Sequence, residues 1–376
     1  MGRQKYRTNS GVPNARRGHA KTGCKCQKQL ARRAALGQAR LRLSLFMHTL
    51  CLLRTLSLLR TPLASRLPPP TLSLSSAVPF TPDGASEFAR EPEDAAWAMG
   101  QMQQIKLDVP GIPVRVPTTF IRSGAEGKPK ILFLHGADSS ALEWRFIMKR
   151  CNEDYDCWAV DWFSGGWTDR TAFVEALRPQ PTPPQPWPVV RNHIQAFWEQ
   201  AMGAEPCVLV GTSLGGAVAL DVATNAPGIA AKLVLVDAGG VSYKSPQPDE
   251  VTALYRQVGA VKALVNLIQQ NLPSKAARLA CLHRRSPLWR EAGEQYLRSG
   301  GYQRAVGPEM IQRVPQETLV IWGSDDPILP LADAYEFERL LPKCDAVHVI
   351  NGSGHSPQLD NPQPVAELIR SFCEHR

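Results

Sequence analysis

Residues 207–216 read Cys-Val-Leu-Val-Gly-Thr-Ser-Leu-Gly-Gly. The apolar run Cys207–Val210 leads into a Gly-x-Ser-x-Gly turn, and Gly216-Ala217-Val218-Ala219-Leu220 opens a good helix behind it. That order predicts strand, sharp turn, helix. Gly211 and Gly215 suit it because the turn is strained and packs closely on its neighbours; the turn lifts the Ser213 hydroxyl above the end of a sheet, beside a helix N-terminus. A Gly-rich turn with Ser213 as a plain helix cap is the competing reading.

Working outward, short apolar runs recur at intervals filled by helical texture: Ile131–Leu134, Cys157–Val160, Leu233–Val236, Leu319–Trp322 and Ala346–Ile350. Runs this rich in Val, Leu and Ile suit strands buried on both faces, and their alternation with helices predicts an α/β fold with a mostly parallel central sheet flanked by helices. Before them, Ile105 to Arg122 alternates apolar and polar residues around Pro and Gly, which predicts an opening hairpin. Residues 1–90 lack a sustained period and contain the Pro run 68–70, so they read as targeting leader and flexible linker, with the folded domain at 104–376. Two insertions interrupt the domain. Pro179–Pro188 holds six prolines in ten residues, which predicts a stiff surface loop with no helix through it. Residues 241–316 follow one strand and precede the next; helical stretches at 251–271 and 286–299 predict a helical cap over the sheet's active edge.

A serine hydroxyl needs a base to become a nucleophile. Of the eight histidines, His19 and His48 lie in the leader, His375 at the terminus, His193 in an expected surface helix, His283 in the cap and His348 inside an apolar strand. His355 sits in Asn351-Gly-Ser-Gly-His-Ser-Pro357, a loop just past the last strand, which can bring an imidazole to the carboxyl edge of the sheet. The orienting acid is expected between serine and histidine in the chain. Thr318-Leu-Val-Ile-Trp-Gly-Ser-Asp-Asp-Pro327 supplies Asp326, with Asp325 the alternative; both serving as caps for a helix near Leu331 is the plainer reading. Asp326 would hold the His355 tautomer and stabilise the imidazolium. Leu134-His135-Gly136-Ala137-Asp138 follows the first buried strand, so the amides of Ala137 and Leu214 are the expected oxyanion donors. Gly136 allows close backbone approach, and His135 is read as shaping the loop.

The formal charge of +9 does not indicate a nucleic-acid partner. Residues 1–82 hold fifteen Lys or Arg and no acidic residue, and the rest of the chain has 28 basic against 34 acidic residues. An Arg-rich, Ser-containing, acid-free segment resembles a cleaved transit peptide for a plastid or mitochondrion. The apolar run Leu43–Leu53 has eleven residues, short of the roughly 20 that span a bilayer; secretion is the less favoured reading, and a disordered extension or an alternative start at Met47 stays open. The nine cysteines are odd in number and scattered, which reads as free thiols rather than a disulfide framework. Cys24-x-Cys26 lacks the second pair of a zinc site.

The segments HGADSS, GTSLGG, WGSDDP and GSGHSP, in that order, resemble the α/β-hydrolase superfamily over residues 104–376. Asp138-Ser-Ser-Ala-Leu-Glu-Trp-Arg145, Ala159-Val160-Asp161 and Ser299-Gly-Gly-Tyr302 are similar to a group of plant and cyanobacterial hydrolases, many of them plastid proteins. The Pro-rich insert and Ser356-Pro357-Gln358, where many members have Pro-His, are departures. The resemblance implies hydrolysis of a carboxylic ester or related acyl bond through Ser213, His355 and Asp326 and an acyl-enzyme, with a small-molecule acyl substrate and no metal or organic cofactor. Serine at the elbow, where dehalogenases and epoxide hydrolases of the superfamily carry aspartate, points away from those chemistries; thioester, amide and carbon–carbon cleavage stay open. The alternative is a small-molecule receptor on a hydrolase scaffold with slow or no turnover. Arg284, Arg285 and Arg290 read as a solvated helix face, or else as a site for an anionic group. Oligomeric state is not legible.

Overall fold

The computed structural model describes residues 76–82, 93–163, 165–176, 186–241, 282–298 and 306–374. The leader as far as residue 75, most of the Pro-rich insert, the helical stretch at 251–271 and the 299–302 motif lie outside the described residues.

Among the described residues, nine strands form one sheet: β1 Val78–Pro79, β2 Met102–Leu107, β3 Val116–Ser123, β4 Lys130–Leu134, β5 Asp156–Val160, β6 Cys207–Thr212, β7 Ala230–Val236, β8 Glu317–Gly323 and β9 Cys344–Ile350. Their spatial order is β1-β2-β3-β5-β4-β6-β7-β8-β9. β2 and β3 form the expected hairpin, with Ile105 opposite Thr118. From β5 to β9 every pairing is parallel. The fold is α/β with a mostly parallel sheet, as the apolar runs predicted.

Side chains alternate across a strand, and each central strand therefore feeds two cores. Leu132 and Leu134 of β4 join one cluster, while Ile131 and Phe133 join the other. β7 and β8 divide in the same way, Leu233 and Leu235 against Val234 and Val236, Val320 and Trp322 against Leu319 and Ile321. Among the described helices, α1 is Glu93–Gly100, α2 Arg145–Cys151, α3 Thr171–Ala176, α4 Pro186–Gln200, α5 Leu214–Asn225, α6 Trp289–Arg298, α7 Pro308–Ile311, α8 Ala332–Leu340, α9 Pro357–Asp360 and α10 Pro362–Glu374. Val190, Ile194 and Phe197 of α4 and Ala217 and Leu220 of α5 cover one face of the sheet; Ile147 and Met148 of α2 and Val365 and Ile369 of α10 cover the other. Each fully buried Leu, Ile or Phe contributes about 1.5–3 kcal/mol of hydrophobic stabilisation.

Three placements differ from expectation. The sheet begins before residue 104: Val78 and Pro79 pair with Gln104 and Gln103, and the Phe80 amide donates to the Met102 carbonyl. The proline insert ends in a helix, since α4 starts at Pro186 and includes Pro188. Proline is tolerated there because the first helical N–H groups have no intrahelical acceptor to lose. His193 of α4 is fully buried, not on the surface; its Nε2 lies 2.8 Å from Thr118 Oγ1, and burial pushes its pKa down to about 3.

The chain runs from β4 outward to β5 and returns to β6 on the other side of β4. Ligand crevices in such sheets form at this reversal, outside the carboxyl ends of the strands.

Candidate active site

Five non-glycine residues among those described have positive φ, and three of them end consecutive central strands at this edge: Asp138 after β4 (φ 53°), Ser213 after β6 (φ 51°) and Asp237 after β7 (φ 41°). Such conformations cost free energy and persist only where the surroundings impose them.

At Ser213 the surroundings are explicit. Its amide donates to the Val236 carbonyl at 3.1 Å, and its carbonyl accepts from the amides of Gly216 at 3.0 Å and Gly239 at 2.9 Å. A Cβ on Gly211 would collide with the Gly215 carbonyl, and one on Gly215 with the carbonyls of Leu134 and His135. The turn thus needs both glycines for close approach. The Ser213 side chain makes no capping bond to α5, so the plain cap reading does not describe it. Leu214 is the first residue of α5, and its N–H has no acceptor within the helix.

His355 lies in the loop after β9. Its Nδ1 is 2.7 Å from Asp326 Oδ2, and the Asp326 side chain is fully buried. The other oxygen, Asp326 Oδ1, accepts the amides of Ile328 at 2.7 Å and Leu329 at 3.0 Å. Asp326 therefore caps a turn and faces the imidazole at once. Asp325 points elsewhere: it is exposed, and its Oδ1 accepts the Ser324 hydroxyl at 2.8 Å.

The loop after β4 packs on the elbow, where a Cβ on Gly136 would lie 3.3 Å from Ser213 Cβ. His135 is fully buried, stacked on Trp162 with centroids 5.2 Å apart. Its Nδ1 lies 2.8 Å from the Gly136 carbonyl. Burial pushes its pKa down to about 3, so it is neutral and structural. The Gly136 amide donates to Glu143 Oε2 at 2.8 Å, which leaves Ala137 as the next amide of that loop.

Four residues beyond those singled out above shape the site. Glu143 is buried, with Oε2 on Gly136 and Oε1 accepting Gln358 Nε2 at 3.1 Å. Burial raises its pKa, while the Gly136, Ser139 and Gln358 donors and the nearby His355 work against that. Gln358 also reaches Thr212 Oγ1 at 3.3 Å, so the His355 loop is tied to the residue before Ser213. Asp138 is clamped by residues 283–289: His283 Nε2 lies 3.2 Å from its Oδ1, Trp289 Nε1 donates to Oδ1 at 2.7 Å, and Arg284 Nε donates to Oδ2 at 2.7 Å. Burial pushes its pKa up, but the bonds and charges of His283 and Arg284 outweigh this and hold it below the usual carboxylate range. Arg284 is thus spent on Asp138, while Arg285 and Arg290 are exposed. Asp237, the fourth, lies beside Asp326: it, Asp326 and His355 each bring one potential ligand atom within 4.8 Å of the others. A metal there would compete with the His355–Asp326 hydrogen bond. The sequence marked Glu143 and Asp138 through the Asp138–Arg145 motif and Gln358 as part of the Ser356-Pro357-Gln358 departure, without a role for any of the three, and Asp237 carried no signal.

A model of the alpha/beta hydrolase family matches residues 131–368. The alpha/beta hydrolase domain-containing protein VTE7 of Arabidopsis thaliana is 28% identical over 263 residues, which cover 65% of this chain and 74% of that protein. An esterase of Mycobacterium tuberculosis is 27% identical over 315 residues, covering 78% of this chain and 97% of its own. Among solved structures, a thermophilic esterase from Thermogutta terrifontis aligns with a TM-score of 0.58 at 19% identity, over 72% of this chain and 98% of that one; at that identity the likeness is one of fold.

Proposed function

The chain belongs to the alpha/beta hydrolase family, and from that premise we propose that it cleaves a carboxylic ester or related acyl bond with Ser213 as nucleophile, His355 as general base and Asp326 as the acid that orients the histidine. The observation that carries this reading is the 2.7 Å contact between His355 Nδ1 and Asp326 Oδ2, at the edge where Ser213 stands in its constrained turn. With Nδ1 directed at Asp326, Nε2 is the nitrogen that takes the Ser213 proton. The serine oxygen attacks the carbonyl, and the Leu214 and Ala137 amides receive the oxyanion. Collapse expels the alcohol, protonated by His355, and leaves an acyl-enzyme; His355 then activates water, and Ser213 is regenerated. Similarity to an esterase over most of both chains supports an ester as the bond cleaved.

We also assign the basic N-terminal segment to import into a plastid or mitochondrion, on its composition. No helix of the described residues is long and apolar enough to cross a membrane.

The test is a fluorophosphonate probe and a series of p-nitrophenyl esters of increasing acyl length, applied to the protein and to Ser213→Ala. Labelling and turnover that vanish in a folded Ser213→Ala are expected. Labelling without turnover of any ester would favour a slow-turnover receptor, and no labelling of folded wild type would overturn the assignment.

A further inference from the structure

Ser76 to Pro82 carries no charged residue and reads in the chain as linker, yet it is built into the body of the protein. Val78 and Pro79 pair with β2, Ala77 packs against one core cluster and Phe80 against the other, and Pro82 is buried. The Phe80 ring lies against the Trp167 indole, centroids 6.3 Å apart. Trp167 in turn meets His283 edge to face, with centroids 6.0 Å apart and planes at 79°. His283 is fully buried, its Nε2 3.2 Å from Asp138 Oδ1. Asp138 follows Ala137, the expected oxyanion donor, and holds a left-handed backbone, φ 53°. Four residues from four separate segments thus form one line of contacts, from the N-terminal strand to the loop after β4. The loop that carries Trp167 is joined to that same loop a second time, through the backbone: the Gly166 amide donates to the Ser139 carbonyl at 2.9 Å, and the Asp161 carboxylate accepts the amides of Ala141 at 2.6 Å and Trp167 at 2.8 Å. A non-glycine residue at positive φ persists only where its surroundings over-determine it, and Trp167 bears on Asp138 by both routes.

We propose that residues 76–82 are a strap of the active site and that Phe80 is a positioning residue: by holding Trp167 against His283 it keeps Asp138, and with it the Ala137 amide, in place for the oxyanion. This rests on the Ser213–His355–Asp326 reading, in which Ala137 is a donor. Aromatic rings at these spacings hold one another by more than the area they bury. Phe80 is itself half-buried, while the Trp167 it lies against is only 8% exposed, so truncating Phe80 uncovers Trp167 on the side away from His283. All fifteen Lys and Arg of residues 1–82 lie at or before Arg66, so a cut that removes the basic segment can leave the strap whole. An oxyanion donor acts on the transition state and not on the bound ester. Loss of the strap therefore falls on kcat and leaves KM in place.

The experiment measures kcat and KM for a p-nitrophenyl ester in the full chain, for wild type, Phe80→Ala, Phe80→Leu and Phe80→Tyr. Active sites are counted by fluorophosphonate titration, so that any unfolded fraction drops out. Phe80→Ala is expected to lower kcat about tenfold with KM within about twofold of wild type. Phe80→Leu, which keeps apolar bulk without the ring, should fall in the same direction, and Phe80→Tyr, which keeps the ring, should recover most of the loss. Asp138→Gly removes the side chain at the end of the line and suits the left-handed backbone; in that background Phe80→Ala should cost less than about threefold. A lowered Tm with wild-type kcat in Phe80→Ala would overturn the proposal and leave the segment a purely structural edge, and so would equal factors in the two backgrounds. Should Phe80→Ala or the double variant not fold, Phe80→Leu decides alone: a reduced kcat at unchanged KM supports the strap, and wild-type kcat overturns it. Ser213→Ala run alongside separates the two readings. Ser213-dependent turnover that ignores Phe80 removes only the strap, whereas absence of Ser213-dependent turnover removes both.

Discussion

Gln358 Nε2 donates to Glu143 Oε1 at 3.1 Å, joining residues 215 positions apart in the chain. Through this contact the loop that carries His355 and the loop that carries Ala137 share one buried carboxylate, because the other oxygen of Glu143 holds the Gly136 amide.

Replacing Glu143 by Gln turns one of its acceptor atoms into a donor, which meets either the Gly136 amide or, with Gln358 oriented as it is, the Gln358 Nε2 group. A buried donor facing a donor costs about 1–3 kcal/mol. Glu143→Gln is expected to lower kcat/KM by about tenfold or more with Ser213 still labelled by fluorophosphonate, the loss falling mainly on kcat because it displaces groups that act in the transition state. Steady-state kinetics check this; unchanged kcat would show that Glu143 does not position either loop.

The two adjacent aspartates should separate cleanly. Asp326→Asn removes the charge that faces His355 Nδ1 and is expected to lower kcat/KM by about 100-fold or more. Asp325→Asn alters an exposed side chain bonded to Ser324 and should stay within about threefold of wild type. Parallel kinetics of the two variants decide between them.

Asp138 holds His283, Arg284 and Trp289 to the end of β4. Asp138→Asn leaves Arg284 without its charge partner and is expected to destabilise the protein by about 1–3 kcal/mol, with the loss concentrated in residues 282–298. Limited proteolysis should cut the variant faster between residues 282 and 298, and the same rate as wild type would speak against the clamp.

Burial, and next the charge of Asp326, push the Asp237 carboxyl well above its ordinary value, and that shift has a sign in stability. A carboxyl that holds its proton more tightly when folded contributes most below its unfolded value, near 3.9, and loses that contribution as pH rises toward its folded value. Asp237→Asn has no such loss, since its amide oxygen can still accept from Gly323. The variant is expected to match wild type near pH 4 and to become the more stable of the two as pH rises to 7. Urea midpoints across that range test it, and a gap that narrows with rising pH would reverse the assignment.

Ser213 carries its own cost. At φ 51° and ψ −120° a Cβ is unfavourable, and glycine is not. Ser213→Gly is expected to be inactive and more stable than Ser213→Ala by about 1 kcal/mol, readable as a higher Tm.

Much of this arrangement could be read from the chain because its causes are local. A run such as Cys207–Val210 has to be buried on both faces, a Gly-x-Ser-x-Gly between strand and helix has one way to turn, and the order of Ser213, Asp326 and His355 follows from the order of strands. Local rules failed where a residue type is usually found in one setting and the fold supplies another. Pro186 and Pro188 looked like helix breakers and begin a helix, since its first turn has no bonds for them to break. His193 looked like a surface residue and is buried against Thr118 and Phe163.

By itself the sequence determined the mostly parallel sheet and the elbow turn, because hydrophobic periodicity and turn chemistry act over a few residues, and it offered Ser213, His355 and two adjacent aspartates as candidates. Only the tertiary structure decided that Asp326 rather than Asp325 faces His355, that Glu143 ties Gly136 to Gln358, that Asp138 holds His283, Arg284 and Trp289, and that Asp237 stands beside the Asp326–His355 pair. Those are contacts between loops at the ends of different strands, and they exist only once the parallel sheet has brought its carboxyl ends to one edge.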